Sequence, residues 1–308
     1  MALSSKPRSP RAAGTGGEPV TTGAAAAPTG PAPSYPVIGL QVLATSGYGI
    51  WMLLGMALAL GIYRDGRSEG LLPLTLGAIF ASLGLLVACL RLPGVSEWHG
   101  WRPARNSWPT REALLALSTY LPMLAVAGLV RGDNNFWATR LAGAALMLCS
   151  LGSLAYTVRS YCSRLSAEAQ QHSRRLPASR VVTAWYGGGL WLWLCLVSQD
   201  ANPHPAGTRP WIMALLLLAL LLGLLEGMRW QSFQLAARQP EGRPRHTRPA
   251  RFVAALFTYA LPSVALLLID LFDAGSWLVG VAAVSCLVGK TLEQHAYEAT
   301  LAARLARA

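Results

Sequence analysis

Residues 210–225 read PWIMALLLLALLLGLL, a run without a single charged side chain. At 1.5 Å of rise per residue such a segment, completed by its flanks, matches a hydrocarbon layer about 30 Å thick. Leu215 to Leu222 shows none of the in-out alternation of a barrel strand. Only a helix or a closed barrel satisfies its backbone in lipid, so this stretch predicts a transmembrane helix.

Seven more charge-free stretches accompany it, at 37–63, 71–90, 113–130, 141–158, 181–199, 252–269 and 274–289. The shortest, at the C-terminal end, has to continue toward Lys290 and beyond in order to span. The fold class predicted is therefore all-α, a polytopic membrane protein with eight transmembrane helices. Residues 1–34, rich in Ala, Gly, Pro, Ser and Thr and without an apolar run, read as a disordered tail ahead of an eight-helix anchor domain over 35–308.

Composition agrees, since the 308-residue chain is 53% hydrophobic and 13% charged, against about 25% charged for a soluble domain. Lys and Arg number 26 and Asp and Glu 14, for a net charge of +12. An even number of spans puts both termini on one side. The tail, the polar segments 91–111, 159–180 and 226–251 and the C-terminal end then carry about 21 of the Lys and Arg, against about 5 opposite. By the positive-inside rule the termini and those three segments are cytoplasmic, and the expected location is the inner membrane. The basic excess thus needs no nucleic acid, and the arginines show no nucleic-acid motif. The bilayer is the expected partner of the apolar surface.

The five cysteines stand apart, with no C-x-x-C pair and no Cys/His cluster of ligand spacing, so no metal centre is expected in this chain. The five histidines lie outside the charge-free stretches, which leaves an embedded haem without axial ligands. Those stretches also lack Asp, Glu, Lys and Arg, which weighs against an ion-coupled transporter or pump. A facilitator of neutral solutes stays open.

The segment joining the second and third stretches is the most informative: Leu90-Arg91-Leu92-Pro93-Gly94, Glu97-Trp98-His99-Gly100-Trp101-Arg102, and Asn106-Ser107-Trp108-Pro109-Thr110-Arg111-Glu112. One reading is an aromatic belt with snorkelling arginines, in which Ser107 or Asn106 caps the third helix and Glu112 sits favourably at its positive end. The other is a quinone site. A quinone exchanges two electrons and two protons, so its head needs hydrogen-bond donors and a nearby group that trades protons with water. An interfacial carboxylate suits the latter role, and Glu112 has that placement. Arg91, His99 and Arg111 supply donors, and Trp108 a flat wall.

The order apolar helix, Leu-Arg-Leu-Pro, aromatic and basic loop, Ser-Trp-Pro-Thr-Arg-Glu, apolar helix resembles the anchor subunits of the dimethyl sulfoxide reductase type. In that family the second helix typically ends in Leu-His-Leu-Gly and the third opens with Ser-Trp-Leu-Ser-Arg-Glu. Leu90, Leu92, Ser107, Trp108 and the pair Arg111-Glu112 carry the match. Weaker agreements are Gln41 before a glycine-bearing first helix, Arg159-x-Tyr161, Trp185, and Gly289 through Tyr297. Arg91 stands where the family usually has a histidine, Pro93 replaces a glycine, and Glu293-Gln294-His295 replaces a Glu-Arg followed by aromatics.

The resemblance implies an anchor that holds an iron–sulfur subunit and a molybdopterin catalytic subunit to the membrane and exchanges electrons with ubiquinone or menaquinone, holding no haem or metal itself. It places Ser107, Trp108, Arg111 and Glu112, with Arg91 and His99, at the quinone. In the dimethyl sulfoxide reductase the docking face is periplasmic, whereas the arginine distribution here makes it cytoplasmic, as in the sulfite dehydrogenases of the same family. The expected function is the quinone-reactive anchor of a sulfite:quinone oxidoreductase. The alternatives are a quinol-oxidising reductase anchor and a membrane transporter.

Overall fold

The computed structural model describes residues 35–63, 69–89, 111–130, 136–163, 176–199, 205–236, 248–272 and 277–305. The expected tail, 1–34, lies outside them. Every regular element among the described residues is helical: α1 (Tyr35–Leu60), α2 (Leu71–Cys89), α3 (Arg111–Ser118), α4 (Tyr120–Leu129), α5 (Trp137–Ser163), α6 (Leu176–Gln199), α7 (Pro205–Ala236), α8 (Arg248–Ala255), a π-helical turn (Leu256–Ala260), α9 (Leu261–Phe272) and α10 (Trp277–Leu305). Five segments are long and apolar enough to cross a membrane, namely 35–60, 137–159, 178–199, 209–228 and 250–272, and two shorter apolar helices cover 71–85 and 114–129. The chain is an all-α, multi-pass membrane protein.

Helix α1 runs through the middle. Its apolar window is 83% buried, against 28% for those in α7 and in the α8–α9 segment, which lie at the periphery. A helix that is apolar on every face can be buried on every face. Small residues let its neighbours approach: a methyl group on Gly49 or Gly188 would run into the backbone of the other's helix, and one on Gly143 would meet Gly55 O at 2.8 Å. Such glycine contacts suit helix pairs whose association gains nothing from expelling water. Along α1, the Thr45 and Ser46 hydroxyls donate to the carbonyls of Gln41 and Val42 at 2.8 and 3.1 Å, which keeps them satisfied inside the bundle.

Two apolar cores flank this helix. One gathers Trp51, Leu54 and Leu58 with Leu74, Val126 and Leu146 from α2, α4 and α5. The other gathers Tyr186 and Leu190 with Ile212, Leu215, Leu266 and Cys286 from α6, α7, α9 and α10. Large side chains on the outer face of α7, including Met213, Leu217, Leu220 and Leu224, remain exposed, as lipid-facing positions should.

Proline breaks the two composite helices where its chemistry requires. Pro122 cannot serve the carbonyl of Ser118, and the helix is interrupted between α3 and α4 at Thr119. Pro262 likewise leaves the Thr258 carbonyl without its intrahelical donor. The turn widens to π geometry, the Leu261 N–H bonds Leu256 O, and the Tyr186 hydroxyl reaches Thr258 O at 3.4 Å.

Contacts fix the ends of the bundle. Tyr35 stacks on His295 with ring centroids 3.8 Å apart, so α1 begins where α10 is ending. Ser179, near the start of α6, meets Glu226, late in α7. At the opposite end Arg209 pairs with Asp270 at 3.3 Å, and Gln199 donates to Glu69 O at 3.0 Å. Val130, closing α4, packs there on Gly70.

The helices run past the limits of the charge-free stretches. α7 continues eleven residues beyond Leu225, to Ala236, and α10 continues beyond Gly289 to Leu305. Glu226 and Lys290, each the first charge after its apolar run, are consequently inside helices and buried, each 5% exposed. Counting Lys290 among the charges that face cytoplasmic water is corrected by this burial.

Candidate functional site

At the end of the bundle where α1 begins, four helices bring polar side chains together in an interior that is otherwise uncharged among the described residues. α10 supplies Lys290, Glu293, Gln294 and Glu298; their spacings of one and two helical turns put them on one face. α7 supplies Glu226, α6 supplies Ser179 and Arg180, and α1 supplies Gln41.

Lys290 stands at the centre. Its Nζ donates to Glu293 Oε2 at 2.8 Å and to Glu226 Oε1 at 3.4 Å. The Tyr259 hydroxyl, presented by the π-helical turn, lies at 3.4 Å, and the same ammonium stands 5.6 Å from the Tyr259 ring centroid. An ammonium with two carboxylates and a phenol satisfies the geometric condition for burying a charge. Glu226 is further held by the Ser179 hydroxyl, which donates to Oε1 at 2.5 Å.

A second, amide-centred layer lies one turn nearer the terminal end. Gln294 Nε2 donates to Gln41 Oε1 at 3.1 Å and to Glu298 Oε1 at 3.0 Å, while Arg180 Nη1 donates to Gln294 Oε1 at 2.8 Å. Gln41 thereby ties α10 to α1, the helix that also packs on α2. Between the layers is a cavity of about 30 Å³, bordered by Thr45, Thr183, Trp230 and Tyr297 as well as the charged groups. That is room for one or two waters. Trp230 is closed over by the Arg251 guanidinium, 4.2 Å from its centroid, and meets Tyr297 edge-on at 6.2 Å.

The residues expected from sequence to meet a quinone fall differently. Arg91, His99, Ser107 and Trp108 lie outside the described residues. Arg111 and Glu112 open α3, at the same end of the bundle as the Lys290 cluster, and their side chains are outside the described ones too. More than two turns further into the bundle, the Ser82 and Tyr120 hydroxyls share a 2.8 Å hydrogen bond that links α2 to α4. Among the described residues no group of three or more His, Cys, Asp and Glu side chains is placed to hold a metal ion.

Sequence reasoning missed the Lys290 cluster because it read Glu226 as the start of a cytoplasmic loop and counted Lys290 with the cytoplasmic end, although the last span had to continue past it. The signal available was the absence of proline between Gly227 and Arg238 and between Lys290 and Ala308, which lets both helices continue. A Lys and a Glu three residues apart, directly after an apolar run, complete that signal.

The chain matches no family model, no curated protein and no solved structure.

Proposed function

We propose that this chain is the membrane anchor and quinone-reactive subunit of a molybdenum oxidoreductase complex. It would pass electrons from the iron–sulfur subunit of a cytoplasm-facing sulfite dehydrogenase to the quinone pool. The single observation that carries the reading is the buried Glu226–Lys290–Glu293 cluster with its water-sized cavity. Ionisable groups inside a membrane bundle are costly and mark places where protons, ions or substrates are handled. Quinone chemistry is one of the few membrane reactions that needs protons delivered to an apolar site.

Position supports the same reading. Lys290 follows Trp277 by thirteen residues, about 20 Å of helix, so it lies in the third of a ~30 Å core nearest the terminal face. That is the end at which α3 opens with Arg111-Glu112, within the stretch that resembles the reductase anchors. In this proposal α1, α2, α3–α4, α5, α6, α7, α8–α9 and α10 make eight passes through the inner membrane, with both termini in the cytoplasm. The proposed position of the quinone ring is beside Ser107, Trp108, Arg111 and Glu112, with Arg91 and His99 as further donors, as the resemblance implies. Glu112→Gln is expected to cut quinone-linked turnover of the intact complex about 100-fold, the scale of a lost general acid or base. Unchanged turnover in that variant would remove Glu112 from the site.

The same cluster favours one other reading, an ion-coupled carrier, because buried Lys–Glu groups also hold transported protons and ions. Solute uptake by proteoliposomes containing this chain alone would select it.

A further inference from the structure

Helix α7 and the α8–α9 segment meet at the far end of the bundle and stand apart at the terminal end. Far from the termini, Arg209 of α7 pairs with Asp270 of α9 at 3.3 Å, and the two helices pack together. Toward the terminal face α8 packs on α10 instead, and a side-chain pair reaches across to α7, the Arg251 guanidinium over Trp230 at 4.2 Å. The wall that α7 turns toward this gap is nearly bare. Arg209, Leu216, Gly223, Gly227 and Trp230 follow at spacings of seven, seven, four and three residues, which makes them one stripe along the helix. A methyl group added at Gly223 or Gly227 would meet nothing within 4 Å. On α8 the residue one turn deeper than Arg251 is Ala255, and it is exposed. The two helices thus border a slot with small side walls and an arginine and an indole at its top. Exposed Leu224, Met228 and Phe252 continue the apolar surface outward from it.

Depth and charge say what the slot accepts. The apolar span of α7 ends at Met228 and that of α8–α9 begins at Ala250, so Trp230 and Arg251 stand where headgroups meet hydrocarbon, and the two glycines lie within the hydrocarbon. Stacked on the indole, the Arg251 guanidinium has no hydrogen-bond acceptor among the described residues. The carboxylate that acts on it electrostatically, Glu293, already receives Lys290 at 2.8 Å. Segments 227–236 and 248–255 contain three arginines, Arg229, Arg248 and Arg251, and no acidic residue.

We propose that the slot between α7 and α8 binds one anionic phospholipid of the phosphatidylglycerol type, with its phosphodiester against the Arg251 guanidinium and an acyl chain against Gly223, Gly227 and Ala255. The planar fork of guanidinium N–H donors matches phosphate oxygens, and stacking on Trp230 holds that fork in place. A headgroup without an ammonium of its own suits helix ends that carry arginines and no carboxylate, which selects anionic over zwitterionic lipid. The acyl chain occupies the space that the glycines leave open. Bound there, the lipid ties α8 to α7 at the end where the two helices pack on other partners. The site is independent of the quinone reading, since neither the Lys290 cluster nor Glu112 takes part in it.

The test is native mass spectrometry of the full chain, purified in detergent, freed of lipid and titrated with dioleoylphosphatidylglycerol or dioleoylphosphatidylcholine. One phosphatidylglycerol is expected to bind about tenfold more tightly than phosphatidylcholine. Arg251→Gln should weaken that binding about tenfold, while Arg159→Gln, which removes an exposed arginine at the terminal end of α5, should leave it unchanged. Gly227→Leu, which fills the slot and keeps Arg251, should weaken it as well. Inorganic phosphate in excess should not displace the lipid. Equal affinity of the native chain for the two lipids would overturn the proposal without recourse to any variant. Equal losses from Arg251→Gln and Arg159→Gln would overturn it too, as the mark of a bulk attraction of headgroups. Undiminished binding by Gly227→Leu would remove the acyl slot, and displacement by phosphate would make the site one for a free anion; either result contradicts the lipid assignment.

Discussion

Lys290 is held by its partners more than by its hydrophobic surroundings. Deleting the ammonium leaves Glu226 and Glu293 buried without their common cation, and breaking a buried pair in this way costs about 3–5 kcal/mol. Lys290→Met should therefore lower the midpoint of thermal unfolding in detergent by about 10 °C, at roughly 2–4 °C per kcal/mol for a chain of this order. Replacing Lys290, Glu226 and Glu293 together by apolar residues of similar volume should recover most of that loss, because no uncompensated charge remains. An equally unstable triple variant would mean that the cluster stabilises the fold by more than mutual compensation. At this scale the sequence was only partly legible. Lys290 and Glu226 are visible as charges beside apolar runs, but their burial depends on partners more than sixty residues apart in the chain, which no local pattern records. Gln41, a weak point of family agreement by sequence, acquires a partner 253 positions away.

Helices were far more legible than contacts. Each charge-free stretch has a helical counterpart in the structure, because backbone groups in an apolar medium leave the chain little alternative. What the stretches did not show was where the helices stop, since a polar residue ends hydropathy without ending hydrogen bonding, as α7 and α10 demonstrate. Nor did they show the break between α3 and α4 or the π turn, although Pro122 and Pro262 mark both in hindsight. The packing of α1 makes the sharpest forecast at this level. A methyl group on Gly49 would strike the backbone of α6 at Ala184, and the helices would have to part. Gly49→Ala is expected to destabilise the protein by about 1–3 kcal/mol, the ordinary range for overpacking, and to lower the unfolding midpoint accordingly. Gly128→Ala and Gly152→Ala meet nothing within 4 Å and should be neutral or slightly stabilising, since Ala is the better helix former. Equal effects at Gly49 and Gly128 would contradict the glycine-mediated packing of α1.

For the molecule as a whole, the division into two apolar cores around a buried central helix explains how an uncharged bundle accommodates a charged site. The polar layers sit at one end of the second core, where α1, α6, α7 and α10 converge, and the remaining described interior is uncharged. The net charge of +12 distributes with the same polarity. By the sequence count its larger share lies in the polar segments that join the helices at the terminal end. Under the proposed function, the charged cluster and the face that docks a partner share one end of the bundle. The decisive measurement is the composition of the complex isolated from native membranes through a tag on this chain. The expected result is an iron–sulfur subunit and a molybdenum-containing subunit in equal amounts with the anchor, with bound quinone, and no twin-arginine leader encoded for the molybdenum subunit. Recovery of the chain without molybdenum, iron or quinone would contradict its role as a quinone-reactive anchor.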